Sequence, residues 1–287
     1  MNWLRYFLKP AESLDRKRLW QIALFVSALY AVTISYLILY WYHLETRMPF
    51  HWFDDSLGWL QMDKGGHIYG AFTECSLGIR ALLWAGVSRK RSCFWAAFIS
   101  FSTQTSYEIF DGFCDGYGAS VTDIIANAIG VLLPAIQYWC WGKLKLFNKI
   151  SFYPSALIPL RPQFFGDSLP QQFLKDYNGL TFWFSVDLNT MTGKKILPKW
   201  LLLTFGYSAD GLLGGDDNIW TDKDGTLHDY SHIARARKFV FSIDFNWGLL
   251  QQPGWKTIGA IFTHIKFPTP ALEWHTSKGF RWHWWYF

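Results

Sequence analysis

A bundle of about four transmembrane helices followed by a β-rich C-terminal domain, α+β overall, is the fold this 287-residue sequence predicts. Three observations predict it. Apolar residues make up 51% of the chain and aromatic residues 20%, while only 17% are charged; a soluble domain typically carries about 25% charge. Four long segments poor in charge fill the first half. Beyond about residue 150 the spacing of apolar residues changes from helical to a period of two.

The first segment is the cleanest. Residues 19–42 contain no charge, follow Arg16-Lys17-Arg18, and end on Tyr40-Trp41-Tyr42-His43, an aromatic set suited to a membrane–water interface. Met1–Leu8 is too short for the apolar region of a signal peptide and has no small-residue cleavage site, so the first span is expected to be retained. Further spans are expected near 66–87, 92–110 and 121–141, giving a helical domain over residues 1–149. The short connections Ser88–Arg91 and Asp111–Ser120 imply antiparallel neighbours.

Charge asymmetry then sets an orientation. With four spans, Arg5, Lys9, Arg16, Lys17 and Arg18, then Arg89, Lys90 and Arg91, then Lys143, Lys145 and Lys149 share one side. The other side has Arg47 and Lys64 among Asp54, Asp55, Asp63, Asp111 and Asp115. The positive-inside rule makes the basic side cytoplasmic, which favours an inner over an outer bacterial membrane. Basic clusters flanking apolar spans are explained by topology, so nucleic acid is not an expected partner. Cys75, Cys93, Cys114 and Cys140 lack metal-ligand spacing and serve as small apolar side chains.

Residues 150–287 form the expected β-rich, membrane-apposed domain. Leu180, Phe182, Phe184, Val186 and Leu188 alternate with Thr181, Trp183, Ser185 and Asp187, after the turn signal Asn178-Gly179. Phe239 to Trp247 alternates in the same way; Trp200–Ala209 and Phe280–Phe287 are further strands, and a short helix is expected near Trp255–Ile265. These alternating aromatic strands are similar in pattern to outer-membrane barrels, but five or six are too few to close one. Asp222-Lys-Asp224-Gly225 lacks the third acidic ligand and the bidentate Glu of a calcium loop, and is expected to be a hairpin.

The polar residues inside the helices carry the functional signal. Asp63, His67, Gly70 and Glu74 recur at helical spacing in the second segment, Gln104, Glu108 and Asp111 in the third, and Asp123, Asn127, Gly130 and Pro134 in the fourth. Antiparallel packing brings Asp63/His67, Glu108/Asp111 and Asp123/Asn127 to one membrane surface, the periplasmic one by the charge rule. The candidate binding cluster is thus Asp63, Lys64, His67, Glu74, Gln104, Glu108, Asp111, Asp123 and Asn127. Ionisable groups in a bilayer are costly and face a site or a partner. The bland alternative makes Lys64 and Arg80 neutralising partners, Asn127 and Gln104 interhelical glue, and Gly70 and Gly130 close-packing positions.

Three chemistries fit such a set. It could hold a lipid or glycan headgroup without catalysis. It could bind a divalent metal through His67, Glu108 and Asp123 in a hydrolase or transferase acting on a lipid-linked precursor. The helices could instead only anchor an interaction module within a larger assembly of envelope proteins. No nucleophile-elbow sequence is present and the sequence requires no cofactor. Trp282, Trp284, Trp285 and Tyr286 are interface anchors or sheet packing.

Asp63-Lys64-x-x-His67, Glu108-x-x-Asp111 and Ser120-x-x-Asp123-x-x-x-Asn127-x-x-Gly130 resemble the YfiM-like domain of unknown function of bacterial envelope proteins. They are similar, more distantly, to the VanZ-like membrane proteins linked to glycopeptide resistance. Lys175-Asp176-Tyr177-Asn178-Gly179, Trp183, Ser185 and Pro268-x-Pro270-Ala271-x-Glu273 extend the resemblance over roughly residues 50–287. It implies an envelope address and a motif, without an activity. Members of the group often begin with a secretion or lipoprotein signal, and that part of the pattern is missing here.

Overall fold

The computed structural model describes residues 9–40, 42, 46–222, 224–250 and 255–287. Trp41 and His43 of the expected interface set, Arg5 of the first basic cluster, the Met1–Leu8 segment and Lys223 lie outside the described residues. The chain forms two compact units. One comprises residues 1–54 and 67–144, and the other residues 55–66 and 145–287.

The first unit is helical, with α1 (Arg16–Tyr40), α2 (Met62–Trp84, whose first turn belongs to the other unit), α3 (Arg89–Asp111) and α4 (Val121–Trp141). Only two helices among the described residues are long and apolar enough to cross a membrane, Arg16–Leu39 and Val121–Trp141. The four-span bundle is therefore overturned. The physical reason lies in α2 and α3, whose polar residues Ser76, Ser92, Ser100, Gln104 and Glu108 are buried within the protein as packing and hydrogen-bonding groups. In α4 as well, 39% of the apolar window is buried inside the protein, as in a core helix. The loop count that placed three basic clusters on one side required four spans, and it falls with them.

Small residues bring these helices close. Ala71, Cys75 and Ile79 of α2, one turn apart, meet Cys93 and Ala96 of α3 and Val131 and Tyr138 of α4. A Cβ on Gly130 would stand 2.7 Å from the Ile68 carbonyl oxygen and 2.6 Å from the Ala71 Cβ, so only glycine allows this α2–α4 approach. Ser120 caps α4 by accepting the Asp123 backbone N–H at 3.1 Å, and Gly142 closes it in the left-handed conformation.

The second unit is built on a six-stranded antiparallel sheet of β1 (Leu146–Phe152), β2 (Leu180–Val186), β3 (Leu201–Asp210), β6 (Ala236–Phe245), β7 (Thr269–His275) and β8 (Gly279–Tyr286), in that order. Between β3 and β6 lies the hairpin β4 (Ile219–Thr221) and β5 (Leu227–Asp229). Short helices α5 (Pro162–Phe165), α6 (Leu169–Lys175), α7 (Leu188–Thr192) and α8 (Trp255–Phe262) complete it. The expected strands and the short helix are present, but β2 stops at Val186 and β6 at Phe245: Leu188 opens α7 and Trp247 a short 3-10 turn. Strand β1 begins at Leu146, and Lys149, counted above as a cytoplasmic loop cation, is a strand residue only 1% exposed.

The register sorts side chains by polarity. One face carries Ser185, Thr204 and Ser242 in one row, Thr181, Ser208 and Lys238 in another, with Lys149 and Asp244 beside them. Here Lys149 Nζ donates to Asp244 at 2.5 Å, Ser185 bonds Thr204 at 2.6 Å and the Trp183 indole donates to Ser151 at 2.9 Å. A small apolar centre of Trp183, Val240, Ala271 and Tyr286 sits among them. The other face carries the rows Phe184, Phe205, Phe241, Leu272, Trp282 and Phe182, Tyr207, Phe239, Trp274, Phe280.

Candidate functional site

Three helix ends of the first unit build the site. His67 lies in the second turn of α2, Glu108 in the last turn of α3, and Asp123 and Asn127 in the opening turns of α4. His67 Nε2 is 3.5 Å from Glu108 Oε1 and 3.7 Å from Asp123 Oδ1. On the other side of the ring, Nδ1 lies 3.1 Å from Asn127 Oδ1. The amide oxygen only accepts, so Nδ1 donates to it, and Nε2 faces the two carboxyl groups.

Each ligand atom is aimed by a local device. The Ser120 backbone N–H at the mouth of α4 donates to Glu108 Oε2 at 3.2 Å, which turns Oε1 toward His67. The Ser120 cap fixes the first turn of α4 and with it Asp123. Gly130, three residues beyond Asn127, lets that turn approach α2. Burial pushes the Glu108 carboxyl up to about 8; His67 opposes the shift, Asp123 and Asp111 add to it, and the Ser120 amide offsets part of it.

The cluster is nearly closed. The side chains of Glu108 and Asp123 are 2% and 4% exposed, and His67 is the accessible member at 17%. Glu108 Oε1 and Asn127 Nδ2 are buried and take part in no hydrogen bond among the described residues.

Glu74, Gln104 and Asp111 make other contacts. Glu74 and Gln104 form a separate polar pair two turns along α2: Gln104 hydrogen-bonds Glu74, whose carboxyl burial pushes up to about 7. Gly70 packs against the same Gln104 amide. Arg80 hydrogen-bonds Tyr138, and Asp111 hydrogen-bonds Tyr42. Asp63 and Lys64 belong to the second unit, where Lys64 pairs with Asp55 at 2.7 Å and Asp63 at 3.2 Å, and the Tyr177 hydroxyl donates to Asp63 at 2.8 Å.

Two motifs of the second half make local hydrogen bonds. Asp176 accepts from the Ser155 N–H and hydroxyl at 2.7 and 2.9 Å, and Asn178 clamps both backbone groups of Leu212. Asp222 sits in the β4–β5 hairpin as partner of His228 at 2.7 Å and of the Trp220 indole at 3.1 Å. The buried Lys149–Asp244 pair escaped the sequence reading. Its signal was a lysine at an inward position of an unrecognised strand.

Residues 51–139, about a third of the chain, match the family described as predicted periplasmic lipoprotein (DUF2279), a family of unknown function. The match covers His67, Glu108, Asp123 and Asn127 and supports the envelope-type domain of unknown function that the motif suggested. It carries no link to the YfiM-like or VanZ-like names. No curated protein and no solved structure matches the chain.

Proposed function

We propose that this chain is a metal-binding protein of the bacterial envelope, with α1 as its membrane anchor and His67, Glu108 and Asp123 as ligands of one divalent cation. The observation that carries the reading is the geometry around His67 Nε2. Separations of 3.5 and 3.7 Å exceed hydrogen-bond length. Two ligand atoms each about 2.1 Å from a tetrahedral ion stand about 3.4 Å apart, close to the separation of Nε2 from either carboxyl oxygen. His67 Nε2 faces one oxygen of each carboxyl group, and the Nδ1–Asn127 contact is the orienting contact a metal-bound histidine typically makes.

Closure of the site favours an ion over the headgroup reading. A lipid or glycan headgroup needs contact surface, and carboxylates 2–4% exposed offer almost none. One nitrogen and two carboxylate ligands suit zinc or manganese. Three protein ligands leave a fourth position for water, the arrangement in which a bound water becomes a nucleophile near neutral pH. The family match to predicted periplasmic lipoproteins and the apolar, unburied α1 support the envelope address.

Elemental analysis of the purified chain tests this, with zinc and manganese titrated into metal-stripped protein. About one equivalent is expected in the wild type, with at least a tenfold weaker dissociation constant in His67→Ala and Asp123→Asn and an intermediate loss in Asn127→Ala. Equal metal content in wild type and variants, or none in any, refutes the reading.

A further inference from the structure

The sheet of the second unit departs from a water-soluble one: its exposed face is apolar, and its buried face mixes an apolar centre with polar and charged residues. An antiparallel sheet with one wet face puts apolar residues inward and polar residues outward. Here Lys149, Ser185, Asp244, Ser208, Glu273 and His275 are buried on one face. On the opposite face Leu203, Phe205, Phe241, Ile243, Phe245, Leu272, Trp274, Phe280, Trp282 and Trp284 are 37–72% exposed.

The exposed set is contiguous. Rows across β3, β6, β7 and β8 place Phe205, Phe241, Leu272 and Trp282 side by side, with Leu203 and Ile243 in the next row. At 150–250 Å² per aromatic side chain the exposed fractions leave on the order of 900 Å² of apolar surface. The largest patch on a typical soluble monomer is about 300–600 Å². The outer edge of β1 is covered, since Ile150 exchanges backbone bonds with His264 and Lys266 at 3.1 and 2.9 Å.

The rim identifies the occupant. The β2–β3 connection brings Lys194, Lys195 and Lys199, all exposed, to the end of the sheet where β6 finishes at Phe245 and β8 at Tyr286. Trp200 stacks on Phe245 at 5.4 Å at this end, with exposed Ile196, Trp284 and Trp285. The one acid of that connection, Asp187, is taken up by the Thr190 N–H and hydroxyl at 3.0 and 2.6 Å. Tryptophans and lysines bordering an apolar face match the boundary between hydrocarbon and anionic headgroups.

We infer that the outer face of β3, β6, β7 and β8 is a lipid-facing surface, seated in the acyl chains of a bilayer with Lys194, Lys195 and Lys199 on anionic headgroups. The reading is independent of the metal site and of α1 as an anchor, so its test reports on the face itself. The photoreactive amino acid p-benzoylphenylalanine is placed at Phe241, Trp282 or Trp284, and at Asp224 as a control, in the full chain reconstituted into vesicles. The vesicles are phosphatidylcholine alone or mixed with phosphatidylglycerol. Illumination is expected to give lipid adducts, found by mass spectrometry, from the three face positions and at least fivefold fewer from position 224. In the anionic vesicles Lys194→Gln/Lys195→Gln/Lys199→Gln should lower the Trp284-position adduct severalfold, with little change in phosphatidylcholine. Crosslinks between two copies of the chain in place of lipid adducts overturn the inference in favour of a self-associating face. Equal labelling at the face and at position 224 overturns it too.

Discussion

Replacing Lys149 by Met should destabilise the sheet by about 3–5 kcal/mol, and replacing Asp244 by Leu as well should restore most of the loss. The two side chains are 1% and 0% exposed, with Nζ 2.5 Å from the carboxylate oxygen. At an effective dielectric constant of about 20 their attraction is roughly 7 kcal/mol. Withdrawing each ion from water costs several kcal/mol, so the intact pair is close to neutral in net stability. Lys149→Met alone removes the attraction and leaves the carboxylate buried. The Phe245 N–H at 2.7 Å and the Ser185 hydroxyl at 3.4 Å still hold that carboxylate, which favours the lower end of the range. Urea unfolding at fixed detergent concentration, followed by tryptophan fluorescence, measures both single variants and the double. A coupling energy near 3–4 kcal/mol is expected. Two single losses under about 1 kcal/mol that simply add in the double variant would refute the reasoning, because they would mean that water reaches the pair.

Two shorter predictions concern the helical unit. Glu74, ordinarily titrating at 4.5 and pushed up to about 7 by burial, keeps in the folded chain a proton that the unfolded chain releases. Stability therefore falls as pH rises from 4.5 to 7, by up to about 3 kcal/mol, and Glu74→Gln should remove that slope; a wild type and variant with the same pH profile would contradict it. Gly130→Ala should cost about 1–3 kcal/mol by overpacking against Ile68 and Ala71. An unchanged melting temperature would show that α2 and α4 have room to part.

The β domain was legible because strand alternation is a property of single residues in line. Phe239 to Phe245 shows it without knowledge of any neighbour. Strand β1 was not, because its residues are buried on both sides and Lys149 masquerades as a loop cation. Helical spacing placed His67, Glu108, Asp123 and Asn127, which the structure brings together, within one larger set, since a period of 3.6 fixes which residues share a face. It could not separate them from Glu74, two turns from His67, and Gln104, one turn from Glu108, which form their own hydrogen-bonded pair. Low charge density suggested four spans, yet apolar content does not tell lipid contact from burial against protein. Ser92 and Ser100 of α3 are buried, 0% and 4% exposed, inside a segment expected to span.

The polarity-sorted sheet also bears on how the chain reaches its native state. In water, collapse drives aromatic rows together, which for these strands would curl the sheet the opposite way and turn Lys149 and Asp244 outward. A one-residue slip of any strand mixes the two faces, and it breaks the Lys149–Asp244 pair and the Trp183 centre while hiding a phenylalanine from water. If the outer face meets lipid, apolar surroundings add to what those buried contacts already favour. Synthesis without lipid or detergent is then expected to give more aggregate than synthesis with it.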